Sequence, residues 1–275
     1  MSKTIMTQTI NGCIVNPAKT LDLSKRNPRK TFDLGDREEA AEELATIQHR
    51  LINLHTRLHA EGKRSLLVVL QAMDAGGKDG TIRKVFGPLN GHWLGVTDFK
   101  APTDAELARD YLWRIHAAMP KRGTIGIFNR SHYEDVLIAR VRGLAPAGAI
   151  RRRYEQINAF EKHLTENGVT ILKIHLQISK KEQRQRFEDR ISEPDKRWKF
   201  STQDVEERKH WSKYMDAYEM ALQKCSTRHA PWYIVPADRK WARNVIIARI
   251  VLDALEAMAP QIPEVNLTSK HRSFK

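Results

Sequence analysis

The chain has 275 residues, of which 41% are hydrophobic, so it is long and apolar enough for a sizeable α/β core and disorder of the whole chain is excluded. No apolar stretch approaches the roughly 20 residues of a membrane-spanning helix. The formal net charge of +14 favours a polyanionic partner: a nucleotide, a nucleic acid, a membrane surface or an inorganic polyanion.

The first 35 residues have mixed composition. Residues 1–35 include Pro17 and Pro28, and we expect them to form an irregular arm that wraps the domain. The opening residues lack the charged-then-apolar pattern of a secretion signal. The two cysteines, Cys13 and Cys225, lie far apart and lack the spacing of metal ligands. We therefore expect a reduced, cytoplasmic setting.

From residue 36 onward, segments with apolar residues at three-to-four spacing alternate with short apolar runs. The predicted helices span residues 36–62, 79–88, 104–119, 150–166, 180–191, 203–225 and 239–258. The predicted strands span residues 65–70, 95–99, 123–128, 169–178 and 232–236. This alternation predicts an α/β fold with a mainly parallel sheet and helices on both faces. We expect one core over residues 36–260, with a helical lid at about 180–213, and a C-terminal tail over residues 261–275.

The loop QAMDAGGKDGT, residues 71–81, follows the first predicted strand and precedes a helix. It departs from the phosphate-loop pattern GxxxxGK[ST], because Ala72 replaces the first glycine and Asp79 follows Lys78. Backbone N–H groups at such a turn still suit a phosphate, and a lysine there reaches the outer phosphates as a point charge. The residues predicted to form this phosphate-binding loop are Ala75, Gly76, Gly77, Asp79, Gly80 and Thr81.

The hydroxyl of the missing Ser or Thr is normally a Mg²⁺ ligand. Asp74, inside the same loop, offers a carboxylate oxygen in its place. Thr81 is a weaker substitute. The alternative interpretation is a glycine-rich turn with a surface lysine. The strand before the loop, the helix after it and the internal Asp74 together favour phosphate binding.

A second polar cluster, NRSHYED, follows the predicted strand 123–128. Ligands of open α/β sheets bind beyond the carboxyl ends of the strands, where this cluster should lie. Arg130 is suited to hold a phosphoryl group bidentately. Asn129 stands where nucleotide-transferring enzymes often have an aspartate. An asparagine can accept a hydrogen bond from a metal-bound water but carries no charge. Glu134 and Asp135 would supply the missing negative charge.

The remaining polar residues of that cluster have simpler explanations. Ser131 and Asp135 suit the cap of the next helix. A lone histidine is more often structural than catalytic, so we expect His132 to have a structural role.

Several long blocks of the chain resemble the family-2 polyphosphate kinases. The blocks are LQAMDAGGKDGTIRKVF, FKAPTDAELARDYLWRIHAAMP, IFNRSHYEDVL, HLQISKKEQRQRFEDRISEPDKRWKFSTQDVEER and TRHAPWYIVPADRKWARN. The similarity covers roughly residues 36–258. The form FNRSHYEDVL is most similar to the subgroup that phosphorylates both nucleoside mono- and diphosphates, whereas other subgroups have Asp in place of Asn129.

The resemblance implies a P-loop kinase core with a helical lid. It implies reversible, Mg²⁺-dependent transfer of the terminal phosphoryl group of inorganic polyphosphate to AMP or ADP. The implied catalytic residues are Asp74, Lys78, Asn129, Arg130 and Glu134, with Asp74 and Glu134 as metal ligands. The implied polyphosphate-binding lid residues are Arg186, Arg190, Lys196, Arg197, Lys199 and Arg208.

The partners expected from the resemblance are inorganic polyphosphate and AMP, ADP, ATP or other purine nucleotides, without a specific nucleic acid or a membrane. We also expect a homo-oligomer, either a dimer or a tetramer. One alternative is a nucleoside monophosphate kinase that uses ATP. Another is a nucleic-acid-binding protein with an inactive loop, which the charge fits; the chain lacks zinc-ligand spacing, a basic zipper and an aromatic-rich β platform.

Overall fold

The computed structural model describes residues 3–265, and its centre is a sheet of five parallel strands. The strands are β1 (Ser65–Gln71), β2 (Leu94–Asp98), β3 (Ile125–Asn129), β4 (Val169–Gln177) and β5 (Trp232–Pro236). Their order across the sheet is β2-β3-β1-β4-β5, with every neighbouring pair parallel. Leu70 is paired with Asn129 and Gln71 with His175, so the segments that follow β1, β3 and β4 meet at one edge.

Helices cover both faces of this sheet. They are α1 (Lys3–Cys13), α2 (Arg37–Glu61), α3 (Lys78–Thr81), α4 (Asp104–Leu107), α5 (Trp113–Ala117), α6 (Ile138–Val141), α7 (Ala147–Glu166), α8 (Lys180–Ser192), α9 (Thr202–Lys209), α10 (Trp211–Lys224) and α11 (Lys240–Met258). Every residue of β1 is buried, and its side chains alternate between two cores. Leu66 and Val68 pack with α2 and α11, whereas Leu67 and Val69 pack with α7 and α10. The predicted fold class is confirmed.

The helix predicted over residues 36–62 is confirmed, and its ends have clear physical causes. Asp36 caps it by accepting hydrogen bonds from the backbone N–H groups of Glu38 and Glu39, and the Glu39 side chain accepts from the Asp36 N–H in return. Gly62 ends it in the left-handed conformation, with φ of 63°. Within residues 3–265, no helix combines the length and the apolar character needed to cross a membrane.

Two of the predicted helices are interrupted. The helix expected over 104–119 is two short helices, because the Asp110 carboxylate accepts a hydrogen bond from the Leu112 N–H at 3.0 Å and so favours a turn. Thr103 caps the first of them by accepting a hydrogen bond from the Glu106 N–H. The helix expected over 203–225 breaks at His210, whose N–H donates to the Glu207 carbonyl at 3.0 Å and tightens the last turn of α9.

The N-terminal segment is more regular than expected. Its first described residues form α1 rather than an irregular arm, because Ile10 and Cys13 add to the apolar core beside α11. The Val15 N–H then donates to the Trp232 carbonyl at 2.8 Å, which covers the β5 edge of the sheet. Residues 266–275 of the predicted tail lie outside the described residues.

A buried ionic network ties the segment after β3 to the sheet. Lys173 on β4 donates to Glu161 on α7 at 2.5 Å and to the Tyr133 hydroxyl at 2.9 Å. Glu161 also accepts from Tyr133 at 2.8 Å and lies 3.2 Å from His132. All four side chains are essentially inaccessible to solvent. His132 therefore has the structural role predicted for it, since it anchors the loop that carries Arg130.

The network has a consequence for the pH dependence of folding. Burial by itself would raise the pKa of Glu161, but Lys173 and His132 hold it below its ordinary value of 4.5. Because the folded-state pKa is the lower one, the stabilisation is complete above about pH 4.5 and is lost as the pH falls through the folded-state pKa.

Replacing Glu161 by Gln should lower the free energy of unfolding by about 3–5 kcal/mol at neutral pH, because Lys173 would remain buried without its counter-ion. Urea unfolding at several pH values measures this. The difference from the wild type should shrink as the pH falls below 4.5 and through the lower folded-state pKa, since the wild-type carboxylate then becomes protonated. Glu166→Gln is the control, because that carboxylate lies in an exposed pair with Lys162 on the same helix. Equal stability of Glu161→Gln and the control would contradict the prediction.

Candidate active site

The loop between β1 and α3 is compact and its lysine is buried. Ala75 and Gly77 have positive φ values of 57° and 105°, which turn the chain so that α3 begins at Lys78. Lys78 is 9% exposed, and its ammonium donates to the Ala72 carbonyl at 3.2 Å. The alternative of a surface lysine on an ordinary turn does not fit this burial. Burial lowers the pKa of Lys78 and Arg130 adds to this, whereas Asp74 and Glu134 oppose it.

The two sequence motifs meet in one ion pair. Asp74, from the loop after β1, accepts from Arg130 at 2.7 Å between Oδ1 and Nη2. Arg130 follows β3 and has a φ of 63°, a left-handed conformation that costs a non-glycine residue of the order of 1 kcal/mol. Its N–H donates to the Leu70 carbonyl at 3.1 Å, which holds this conformation against β1. This backbone conformation directs the guanidinium of Arg130 towards the loop after β1.

Glu134 is a second carboxyl close to this ion pair. Burial raises the pKa of its carboxyl, whereas Arg130 and Lys78 oppose the shift. Two cations, Lys78 and Arg130, thus lie close to two carboxyls, Asp74 and Glu134. Ser131 caps the short helical turn over His132–Asp135, as predicted, by accepting from the Tyr133 N–H at 3.2 Å.

Asn129 bonds to two carboxylates, Asp79 and Asp98, that are distant from each other in the sequence. Its amide Nδ2 donates to Asp79 at 2.9 Å and to Asp98 at 2.6 Å. Its Oδ1 is buried and lacks a hydrogen-bond partner among residues 3–265. Asp98 was not identified from the sequence as a site residue. Its position at the carboxyl end of β2, the edge at which ligands bind in such sheets, is the signal that would have found it.

The expected Mg²⁺ can be tested against these oxygen donors. In the described part of the chain, no group of three or more His, Cys, Asp or Glu side chains is arranged to hold a metal by itself. Protein sites for Mg²⁺ commonly supply one or two carboxylates and leave the other positions to water and substrate phosphates. The carboxylates of Asp74 and Glu134 fit such a partial site, and the Oδ1 of Asn129 at the end of β3 is a further oxygen without a partner among residues 3–265.

Arg186, expected as a polyphosphate-binding residue of the lid, is buried against the loop after β1. It is 6% exposed, and its guanidinium donates to the loop carbonyls of Ala75 at 2.9 Å and Gly76 at 3.1 Å. Its Nη2 donates to the Ala237 carbonyl at 2.6 Å, so Arg186 connects the loop to the end of β5. The reason is geometric: Arg186 lies in the middle of α8 on the face that packs against the loop.

Gln183, one turn earlier on α8, also holds the loop. Its amide donates to the Asp74 carbonyl at 2.9 Å, and its Oε1 accepts from Arg208 at 2.7 Å. The predicted lid residue Arg208 therefore reaches the loop through Gln183 rather than directly. Gln183 was not identified from the sequence, because nothing in its neighbourhood distinguishes it from other polar residues of a charged helix.

The other predicted lid cations lie on the helical segment beyond the loop. Arg190 donates to Asp204 at 2.9 Å, Lys196 lies 2.5 Å from Glu193, and Arg197 donates to the Ile191 carbonyl at 2.9 Å. Lys199 lies 4.9 Å from the ring centre of Trp198, which is 79% exposed. The segment thus presents cations and one large aromatic ring to solvent.

A cavity of about 650 Å³ opens beside the Asp74–Arg130 pair. Its walls come from the start of the loop after β1, the segments after β2 and β3, and the helices α9 and α10. Phe99, Tyr111 and Leu137 supply apolar surface, and Arg114 and Arg130 supply positive charge. A cavity of this size and mixed lining suits a small molecule with an aromatic part and an anionic part.

Comparison with known proteins agrees with this geometry. The sequence model of the polyphosphate kinase 2 (PPK2) family matches residues 34–263. The AMP/ADP-polyphosphate phosphotransferase of Meiothermus ruber is 50% identical over 236 residues, which cover 86% of this chain and 88% of that protein. The ADP-polyphosphate phosphotransferase of Rhodopseudomonas palustris is 41% identical over 262 residues, 91% of each chain. The crystal structure of polyphosphate kinase 2 from Arthrobacter aurescens TC1 superposes with a TM-score of 0.92 at 40% identity, covering 96% of this chain and 94% of that one.

Gly77→Ala should damage the loop. Alanine at a φ of 105° is strained, and its β-carbon would clash with the guanidinium of Arg243. Binding of inorganic tripolyphosphate, measured by calorimetry, should weaken about five- to thirtyfold, since a strain of about 1–2 kcal/mol falls on the present conformation of the loop. Gly91→Ala is the control, because a β-carbon there meets nothing within 4 Å. Unchanged tripolyphosphate affinity in a folded Gly77→Ala protein would contradict this.

Proposed function

The chain belongs to the polyphosphate kinase 2 family, and from this premise we propose that it transfers the terminal phosphoryl group of inorganic polyphosphate to AMP and ADP. The observation that supports the proposal best is that Asp74 and Arg130, which pair at 2.7 Å, both line the 650 Å³ cavity, while Lys78 is buried in the same loop as Asp74. The chain is a phosphotransferase that acts on nucleotides with polyphosphate as donor. The acceptors AMP and ADP are both named for the Meiothermus ruber relative.

The reaction requires charge compensation more than it requires a base. An anionic oxygen on the terminal phosphate of the nucleotide attacks the terminal phosphorus of the donor. A new P–O bond forms, the bond to the bridging oxygen breaks, and the shortened chain leaves as an anion, so no side chain has to remove a proton. The difficulty is the repulsion between two polyanions, and catalysis is therefore positioning plus positive charge.

Lys78 and Arg130 are placed to supply that positive charge. Lys78 is held inside the loop, so its ammonium can neutralise the phosphate that the backbone N–H groups bind. Arg130 is directed by its strained backbone towards Asp74, at the junction of loop and cavity. A Mg²⁺ ion, held by Asp74 and Glu134, would supply further neutralisation of the phosphates when bound. The Mg²⁺ dependence and the reversibility of the reaction are part of the proposal.

The cavity beside Arg130 is the proposed nucleotide site. Phe99 and Tyr111 offer aromatic surface to a base, while Arg114 and Arg130 offer charge to its phosphates. The volume of 650 Å³ lies in the range of small-molecule sites, which fits acceptance of both AMP and ADP.

A homo-oligomeric state and a cytoplasmic location are further parts of the proposal. Both cysteines are buried and free, which suits a reducing compartment. The net charge of +14 favours a polyanionic donor over an uncharged one.

A donor exchange tests the function. Purified protein with AMP or ADP, Mg²⁺ and long-chain polyphosphate should form the nucleotide with one more phosphate, detected by nucleotide chromatography. With ATP in place of polyphosphate, phosphorylation of AMP should be at least about a hundredfold slower, because the positive charges of the loop and the lid suit an extended anion. Activity with ATP alone would identify the protein as an ordinary nucleoside monophosphate kinase.

The site assignment is tested by Lys78→Met and Asp74→Asn. Each should lower kcat by about 10²–10³, the effect of removing one preorganised charge at a reacting phosphate, equivalent to about 3–4 kcal/mol. Circular dichroism and the unfolding temperature should show a folded protein. Arg50→Met is the control, since this exposed arginine on α2 pairs with Glu256 far from the loop. Near-normal turnover in either site variant would refute the assignment.

A further inference from the structure

The helix α8, which holds the loop after β1 through Gln183 and Arg186, starts at a junction with the segment that follows β5. Ser179 caps the helix, since its Oγ accepts a hydrogen bond from the Glu182 N–H at 3.1 Å. The carboxylate of Asp238, just after β5, in turn accepts from the Ser179 N–H and from the Ser179 hydroxyl, each at 2.8 Å. Asp238 is buried, and a carboxylate beside the first turn also interacts favourably with the helix dipole. The start of α8 is therefore attached to the sheet through two neighbouring strands, β4 and β5.

The backbone of Asp238 is itself held from both sides. Its N–H donates to the Pro28 carbonyl at 3.1 Å, and its carbonyl accepts from Nη2 of Arg186 at 3.2 Å. One residue earlier, the Ala237 N–H donates to the Gln177 carbonyl at 2.9 Å, which continues the pairing of β4 with β5. These bonds fix the direction of the carboxylate relative to the sheet.

A segment near the N-terminus covers this junction. Residues 23–28, here called the N-terminal strap, lie against the last residue of β4. The side-chain amide of that residue, Gln177, donates to the Leu23 carbonyl at 2.7 Å. The Leu23 N–H donates to the Glu219 carboxylate on α10 at 2.7 Å, and the Leu23 side chain is buried. The N-terminal strap is thus bonded to β4, to α10 and to Asp238.

The fixed start of α8 determines which of its side chains reach the loop. Gln183 and Arg186 follow Ser179 by four and seven residues, so all three lie on one face of the helix. Arg186 lies about 10 Å along the axis from Ser179, so a tilt of about 10° at the start would move it by about 2 Å. Arg186 bonds to the Ala75 and Gly76 carbonyls at 2.9 Å and 3.1 Å, and such a displacement would break these bonds. A small change at the junction would therefore release the loop.

We propose that Asp238 is a positioning residue for phosphoryl transfer: through Ser179 it sets the orientation of α8, and the N-terminal strap keeps Asp238 in place for this. The helix then holds the loop after β1 in the conformation that receives the phosphates of the donor. Neither Ser179 nor Asp238 lines the 650 Å³ cavity, so their effect on the reaction passes through α8. The inference rests on the proposed function, because it takes the reaction to be transfer from polyphosphate.

Ser179→Ala tests this role, because it removes the hydroxyl and keeps the backbone N–H that also bonds to Asp238. The kcat with long-chain polyphosphate should fall about tenfold, and the Kd of tripolyphosphate should rise by a similar factor, the effect of losing one hydrogen bond to a charged group. The KM for AMP should change less than about twofold, because the lining of the cavity is kept. Ser179→Thr retains the hydroxyl and should stay within about twofold of the wild type in each value. Ser192→Ala, at the exposed end of the same helix, is the control.

Asp238→Asn and the double variant with Ser179→Ala distinguish positioning from stability. Asparagine keeps one acceptor oxygen but loses the charge, so kcat should again fall about tenfold. Because both changes act on one interaction, the double variant should be at most about twofold slower than the slower single variant. Hydrogen exchange of the α8 amides should be faster in each variant. A merely structural role would instead lower the unfolding temperature and leave kcat unchanged well below that temperature.

Three results would each overturn the inference. They are normal kcat and tripolyphosphate affinity in folded Ser179→Ala, an equal loss in Ser179→Thr, and losses that multiply in the double variant. In all of them the wild type still transfers phosphate from polyphosphate. A wild type that does not would refute the proposed function instead, and the exchange of the α8 amides would still decide whether Asp238 holds the helix.

Discussion

The ion pair between Asp74 and Arg130 is the contact on which the arrangement of the site depends. It joins the loop after β1 to the loop after β3, and it can form because parallel pairing sets Leu70 beside Asn129. A shift of the register by one residue would send Arg130 to the other face of the sheet. The apolar strands therefore fix the position of the charges, and the buried network of Lys173 and Glu161 keeps the second loop from moving.

The buried cations of the fold differ in whether a carboxylate lies beside them. Lys173 and Arg249 are buried beside carboxylates, which neutralise them within the fold. Lys78 and Arg243 are buried in and beside the loop after β1, where burial depresses the pKa of each. A fold that holds such charges in its free state is preorganised for an anion, because part of the desolvation cost is met before the ligand arrives.

The sequence predicts the parts of this molecule that follow from local patterns. Apolar runs locate the strands, and the glycine-rich loop and the polar cluster after β3 fall at the same edge because parallel strands end together. Arg186 and Arg243 could not be placed in this way, since their roles depend on which face of α8 and α11 packs against the loop. The break between α4 and α5 was missed because the Asp110 side chain forms a local turn within an otherwise helical pattern.

Asn129 shows how one uncharged residue sets the charge of the sheet edge. Its amide nitrogen donates to Asp79 and Asp98, and so holds two carboxylates near each other. An aspartate in its place would put a third carboxylate beside them and would remove the side-chain donor Nδ2. The three carboxylates would then repel one another unless a cation or a proton were bound at that point. With asparagine, the edge carries one negative charge fewer. Because both substrates are polyanions, this smaller negative charge favours their approach to Lys78 and Arg130.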